Sequence, residues 1–200
     1  VENKKVVGFD EKPMYLDWVS AGINIISNEI ISNIVREEYL DMSDMNLADL
    51  TLFQSREVTN ESGDLTINLR GSTLQNVDLS RSTLSYALLN FTNLSNAQLE
   101  NTNLEGAKLF SANLSNAQLD NANLRYVSAK NLTGCPSVLP IGWNCIQQGN
   151  EGDRFALLGE YANLDGGDFS RTNFANTVIR NVNFHNADLS SSDMENLDFE

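Results

Sequence analysis

The chain has 200 residues, a formal net charge of -14 at pH 7 and an apolar fraction of 41%. This apolar content suffices for one domain with a buried core, and no apolar run approaches the roughly 18 residues that a membrane-spanning helix needs. Because binding to nucleic-acid phosphates requires clustered Lys and Arg, the acidic charge argues against a direct nucleic-acid partner.

The acidic charge is concentrated at the two ends. Residues 1–50 have ten acids and four bases, residues 51–150 have seven and six, and residues 151–200 have ten and three. The middle is therefore nearly neutral. Two interpretations remain open, a solvated surface or an acidic surface that a basic partner recognises.

An amphipathic helix, or a helix pair with a break near Gly22, is predicted in the N-terminal segment, residues 1–39. Residues 14–38 follow Pro13 and place apolar residues at alternating steps of three and four, at Leu16, Val19, Ile23, Ile26 and Ile30. The helix is expected to cap whatever follows, and a dimerisation or partner-binding helix is the alternative.

Apolar residues then recur at every fifth position in three separate runs between residue 40 and residue 199. A short, imperfect run precedes a loop at about residues 53–64, and its centres are Leu40, Met45 and Leu50. The unbroken first run has the centres Leu69, Leu74, Leu79, Leu84, Leu89, Leu94, Leu99, Leu104, Leu109, Leu114, Leu119 and Leu124. The second run has the centres Leu164, Phe169, Phe174, Ile179, Phe184, Leu189, Met194 and Phe199. In the first run the residue two before each centre is small or β-branched, whereas the second run has bulkier centres.

A period of five fits neither of the ordinary elements. On an α-helix, positions five apart are rotated by about 140°, so no apolar stripe forms. On a continuous strand, an odd spacing sends successive leucines to opposite faces of the sheet. The period is satisfied if the chain turns a corner in every repeat and each centre points inward, which predicts a solenoid.

The repeat resembles the pentapeptide-repeat family, whose motif is A(D/N)LXX, over about 115 residues. The resemblance implies an all-β solenoid, a right-handed, four-sided parallel β-helix with four repeats per coil. Its first part would span residues 40–129 and its second part residues 161–200. Each coil needs its neighbours to bury its inner face, so the end of the last coil is expected to need a cover.

The two runs are separated by an insertion at residues 130–160 that contains Cys135 and Cys145. The pair lies ten positions apart in a Pro-containing loop, which favours a disulfide, with free buried thiols as the alternative. A disulfide would indicate an extracytoplasmic location, in a periplasm, in a lumen or outside the cell. Free thiols would instead be compatible with a cytoplasmic location. The segment is similar to the Cys-bracketed Leu-Pro-x-Gly-Trp insertions of some exported and cyanobacterial family members.

No catalytic, cofactor or metal site is expected. His185 is the single histidine and follows a repeat centre, which predicts a surface position, and zinc would need two ligands beyond the cysteines. The favoured function is therefore a non-enzymatic solenoid that acts as a protein-interaction or structural module. It would use its flat faces and its insertion, with a possible homodimer through the C-terminal coil or the N-terminal helix. The alternative, from the resemblance, is an acidic DNA mimic that binds gyrase or a topoisomerase.

Overall fold

The computed structural model describes residues 67–149 and 152–198, which form a β-helical solenoid interrupted by one hairpin. The predicted capping helix, the short run from Leu40 to Leu50, the loop at 53–64 and the last centre, Phe199, lie outside the described residues.

Parallel backbone pairing holds each coil of the solenoid to the next. The bridged residues are twenty positions apart, as in Asn93↔Asn113. The N–H of Leu94 donates to the carbonyl of Asn113 at 2.8 Å, and the N–H of Asn113 donates to the carbonyl of Thr92 at 2.9 Å. Since a repeat has five residues, one coil contains four repeats and the solenoid has four faces.

The four faces are named here by the residues at their bridge positions. Face A contains Asn68, Leu88, Lys108, Ser128, Asn163 and Asn183. Face B contains Thr73, Asn93, Asn113, Asp168 and Asp188. Face C contains Asp78, Gln98, Gln118, Val138, Asn173 and Asp193. Face D contains Thr83, Asn103, Asn123, Val178 and Asp198.

Each corner between faces is a tight turn with one left-handed residue. The carbonyl of a centre such as Leu94 accepts the N–H of Ala97, three residues later, at 3.1 Å. The residue two after the centre has a positive φ, 57° at Asn96. Asn and Gly occupy most of these corners because Asn tolerates this conformation and Gly has no Cβ to clash.

Asparagine side chains reinforce the corners in two separate roles. On face B the Oδ1 of Asn93 accepts the backbone N–H of Ser95 at 3.1 Å and the Nδ2 of Asn113, one coil away, at 3.2 Å. At the next corner the Nδ2 of Asn96 donates to the Oδ1 of Asn76 at 3.0 Å. The sequence pattern suggests both a backbone bond and an unusual dihedral for the asparagine before each centre. The structure gives the bond to that residue and the left-handed conformation to a residue three positions later.

The leucine centres form the core. All twelve centres from Leu69 to Leu124 are buried, with at most 3% of their surface exposed. The second inward position is occupied by small residues such as Ala97 and Ala117, which are also buried. Where a threonine replaces alanine, its hydroxyl is satisfied, because Thr92 Oγ1 donates to the carbonyl of Leu69 at 2.9 Å.

Phenylalanine fills the interior of the second run. The rings of Phe169, Phe174 and Phe184 contact one another at centroid separations of 5.7 to 6.0 Å. Gly167 makes room for this cluster, since a Cβ at that position would collide with the ring of Phe169.

The insertion forms a hairpin of two strands, β1 (Asn144–Gln147) and β2 (Phe155–Leu158). They pair antiparallel in the register Asn144↔Leu158 to Gln147↔Phe155. Residues 130–138 still follow the coil, because Val138 bridges Gln118 in parallel and Leu132 lies in the core. The coil resumes on face A, where the N–H of Asn163 donates to the carbonyl of Val127 at 2.9 Å.

Burial decreases towards the last described coil. Phe169 and Phe174 are fully buried, whereas Ile179, Phe184 and Leu189 are half-buried. Met194, which the repeat predicts to point inward, is 42% exposed. It lies in the last described coil, where no further described coil covers it.

Leu99→Ala should destabilise the solenoid by about 2 to 5 kcal/mol, because it leaves a cavity between two coils. Leu189→Ala removes the same atoms from a half-buried centre and should cost clearly less. Urea unfolding followed by circular dichroism measures both. Equal losses would mean that the centres near the C-terminal end are as well packed as those in the middle.

Asn96→Val should destabilise the chain by about 1 to 2 kcal/mol or more, because a β-branched residue is strained at a positive φ. Asn96→Gly loses the same side-chain bonds but accepts the dihedral, and should therefore cost less. Thermal unfolding of the two variants separates the corner conformation from the asparagine ladder. A glycine variant as unstable as the valine variant would assign the stability to the ladder instead.

Candidate partner-binding surfaces

Cys135 and Cys145 form a disulfide, with their Cα atoms 5.9 Å apart, as the sequence favours. Cys135 lies in the last regular coil before the hairpin, and its carbonyl accepts the N–H of Asn116 at 3.1 Å. Cys145 lies in β1. The bond therefore fixes the hairpin to the coil from which it leaves.

The segment closed by this disulfide presents a rigid turn. The N–H of Trp143 donates to the carbonyl of Pro140 at 3.1 Å, and Gly142 supplies the positive φ of 83° that such a turn requires. Ile141, between them, is fully exposed. The ring of Trp143 packs where a Cβ on Gly159 would lie, so the base of the turn is anchored against the start of the second run.

An open groove lies between the hairpin and the second run. It has a volume of about 370 Å³ and its lining residues are Ile146, Gln147, Gly149, Arg171, Asn173 and Ala175. Among the described lining residues, Arg171 is the one with a charge.

Aromatic side chains occupy both edges of face A. Tyr86, Tyr126 and Tyr161 lie at the corner between faces D and A, and Phe91 lies at the corner between faces A and B. All four have a positive φ, between 58° and 64°. Bulky residues are disfavoured in this conformation by about 1 to 2 kcal/mol each. The other two corners have none of these aromatic residues in the described chain.

Three of these aromatic residues remain open to solvent, whereas Tyr161 is half-buried. Tyr86 and Phe91 are each 57% exposed, and Tyr126 is 45% exposed. The ring of Tyr86 covers Gly106 in the next coil. The Tyr126 and Tyr161 rings meet edge to face at 5.4 Å.

A cation extends the tyrosine edge. The guanidinium carbon of Arg125 lies 4.1 Å from the centre of the Tyr161 ring and 5.5 Å from that of Tyr126, within cation–π range. A bond of 3.4 Å from Arg125 to the Tyr126 hydroxyl raises the pKa of Arg125 above its usual value. This guanidinium therefore stays charged and is held against the two rings.

Charge is segregated among the faces of the lower four coils, residues 67–141. The face A segments contain Arg70, Lys108 and Lys130 and no acid, and the face B segments contain no charged residue. Face C contains three acids and one base, and on face D one acid is balanced by Arg125. The chain is strongly acidic as a whole, so the positive face A is a distinct electrostatic region.

The upper coils are acidic. Asp168 and Asp188 stack on face B, and Asp193 and Asp198 lie on faces C and D. Hydrogen bonds from the side chain and the backbone of Ser170 lower the pKa of Asp168, so this carboxylate stays ionised.

His185 lies on the surface, as its position after Phe184 predicts. Its Nδ1 is 3.3 Å from Asp165 Oδ1, and most of its ring is exposed. Within residues 67–149 and 152–198 no group of three His, Cys, Asp or Glu side chains is arranged to bind a metal ion. In the same part of the chain, no helix has the length and apolar character needed to cross a bilayer.

The aromatic edges of face A were not among the residues singled out from the sequence. Their signal is present in the repeat, because Tyr86, Phe91 and Tyr126 each lie two positions after a leucine centre. Asn and Gly predominate at that position, so an aromatic residue there departs from the repeat without contributing to the core.

Known proteins match this chain at the level of its repeat. The family model for pentapeptide repeats matches eight copies, over residues 67–97, 87–125 and 160–196. No curated protein matches at a significant level.

Several solved structures are similar. A pentapeptide repeat protein from the Arabidopsis thaliana thylakoid lumen is 22% identical, with 50% of this chain and 70% of that chain covered and a TM-score of 0.29. Rfr23, from the cyanobacterium Cyanothece 51142, is 22% identical over 82% of this chain and 87% of its own, with a TM-score of 0.24. QnrB1, a plasmid-mediated fluoroquinolone resistance protein, is 13% identical over 81% of this chain and 82% of its own, with a TM-score of 0.34. The family assignment is based on the repeat model.

Removing the disulfide with Cys145→Ser should lower the free energy of unfolding by about 2 to 4 kcal/mol. The loss of protection should be largest in the hairpin and in the coil that contains Cys135, because the disulfide joins these two segments. Hydrogen exchange measured by mass spectrometry shows which segments lose protection. Asn144→Ala, inside the same loop, is the control and should change protection little, because the Asn144 side chain is exposed. Uniform loss of protection over residues 67–125 would contradict this expectation.

Proposed function

Because the chain belongs to the pentapeptide-repeat family, we propose that it is a non-enzymatic protein-interaction module that presents its disulfide-closed turn to a protein partner. The observation that carries this proposal is the full exposure of Ile141 on a turn that is fixed at both ends. Binding costs less conformational entropy when the contacting group is already rigid, so an apolar side chain held in this way is suited to enter a partner's pocket.

The attachment of the turn supports this role. Pro136 and Pro140 restrict the backbone between the cysteines, and Trp143 anchors the base of the turn over Gly159. A fully exposed isoleucine contributes nothing to the core, so its burial free energy of about 1.5 to 3 kcal/mol is available to a contact with another protein.

A photo-reactive amino acid at position 141 should crosslink one protein from the native source, and unlabelled wild-type protein should compete. The Ile141→Ser variant should compete poorly, because it lacks the apolar group. In the matched control the photo-reactive group replaces Asn176, an exposed corner between faces C and D of the second run. This control should not give the crosslinked product. Equal competition by wild type and Ile141→Ser would refute the role of the turn.

The disulfide further supports an extracytoplasmic location, because such bonds persist in oxidising compartments. Protein from its native source should then resist thiol alkylation unless it is first reduced, as intact mass reports. Alkylation of both thiols without reduction would place the protein in a reducing compartment.

The proposed fold includes a capping helix at residues 14–38 and a right-handed coil.

The proposed assembly is a homodimer through the C-terminal coil. Leu189 and Met194 leave apolar surface accessible at the last described coil, and a second copy would bury it. Sedimentation of wild type against Met194→Glu tests this, since a buried charge would dissociate the dimer. An unchanged sedimentation profile would exclude this end as the contact.

The alternative of an acidic DNA mimic is less well supported by the charge distribution. A mimic of duplex DNA requires negative charge along its length, whereas face A of the lower coils is positive and face B is neutral. A gyrase supercoiling assay tests the alternative, and inhibition at micromolar protein would favour it over the proposed function.

A further inference from the structure

We propose that face A of the lower four coils binds an acidic, extended segment of a protein partner. This inference rests on the proposed interaction role and assigns it a second, separate surface. It is based on three properties of the face: its charge, its two aromatic edges and the strain at which those edges are maintained.

The charge of face A is positive and largely uncompensated. Arg70 and Lys108 are exposed and have no carboxylate partner among the described residues. The Nζ of Lys130 donates to the backbone carbonyl of Asp165. Burial lowers the pKa of Lys130, the nearby Asp165 carboxylate raises it and Lys108 lowers it, so this cation is partly compensated by the second run, whereas in the part of the chain that the structure describes Arg70 and Lys108 are not. An anionic partner would offset the repulsion between these neighbouring cations.

The two edges of the face provide apolar contact area beside these cations. Phe91 meets Phe110 edge to face at 5.6 Å on one side, and Tyr86 and Tyr126 line the other side. Aromatic residues together with Arg are enriched where protein interfaces derive most of their binding energy. The bridge positions Leu88 and Ser128 lie between these two edges on face A.

The backbone supports a binding role for the edges. Asn is the common residue at these corners and tolerates a positive φ, whereas Tyr86, Phe91 and Tyr126 adopt it with bulky side chains. An observed departure of this kind is a reason to suspect function, particularly where the strained side chain is exposed. The four aromatic corners of the described chain all flank the one face that is positive.

An extended acidic segment matches this surface. Coils are spaced by about 4.8 Å and an extended peptide advances about 3.3 Å per residue, so about five residues cross the four coils. Carboxylates of such a segment can reach Arg70, Lys108 and Lys130, while its apolar side chains contact the aromatic edges. The charge complementarity also steers the encounter, which makes binding dependent on salt.

The test uses the full chain with its disulfide intact and a fluorescein-labelled peptide of about eight residues that alternates Glu and Tyr. Fluorescence anisotropy should show binding at about 50 mM salt that weakens at about 500 mM. The matched peptide that alternates Lys and Tyr should bind at least about tenfold more weakly. Equal binding of the two peptides would refute the proposal.

Variants assign the site. Lys108→Glu should weaken binding at least about tenfold, whereas Arg171→Glu makes the same charge change at an exposed corner between faces B and C of the second run and should leave binding within about twofold. Phe91→Asn places the common corner residue at that position, so the fold should be retained while binding weakens. Unchanged binding by Lys108→Glu would overturn the proposal. So would binding of the sulfated polysaccharide heparin without binding of the Glu–Tyr peptide.

This outcome is separable from that of the proposed function. Crosslinking from position 141 does not involve face A, and peptide binding to face A does not involve Ile141. Loss of competition by Ile141→Ser with normal peptide binding would support both surfaces. Normal crosslinking with no peptide binding would overturn only the role of face A.

Discussion

The left-handed residue at every corner is the constraint on which the other features of the solenoid depend. Turning the chain after each centre keeps all centres on the inside, and it aligns the backbone of each coil with the next for pairing at twenty-residue intervals. Leucine burial supplies the stabilising free energy, but only because the corners place each leucine directly over another. The same geometry leaves the bridge and corner side chains outside, so the interior fixes the fold and the outer surface is free to vary.

That separation explains which features could be predicted from the sequence. The period, the inward leucines and the placement of the second run follow from the pattern, since the centre at Leu164 keeps the phase of Ala129. The cysteines could be paired because the chain has only two. The four repeats per coil that the resemblance implies would place Tyr86 and Tyr126 beside one face, but the exposure of their rings depends on packing between coils, which the repeat pattern does not show. The charge of a face likewise depends on several coils, since Arg70, Lys108 and Lys130 are scattered along the chain.

The two proposed surfaces use rigidity in different ways. The turn at Ile141 is fixed by covalent and conformational restraints, including the disulfide and the packing of Trp143. The aromatic edges are fixed by the solenoid itself, which determines the position and the backbone conformation of each corner. In both cases little conformational entropy remains to be lost on binding, so modest contact areas can be effective. The opposite charges of face A and the upper coils would also orient the rod relative to a charged partner.

The hairpin interrupts the solenoid without shifting the register of its coils. Asn163 bonds to the carbonyl of Val127 much as Ser128 bonds to that of Ala107, but at a separation of thirty-six positions instead of twenty-one. The additional fifteen residues equal three whole repeats, so the register above and below the hairpin is the same as if they were absent. The hairpin is nevertheless part of the interior, because Leu157 packs with the leucine centres and Ile146, Ala156 and Leu158 pack with Leu164 and the phenylalanines. A different segment at this place would have to supply equivalent buried side chains, whereas the exposed turn around Ile141 can vary without altering the core.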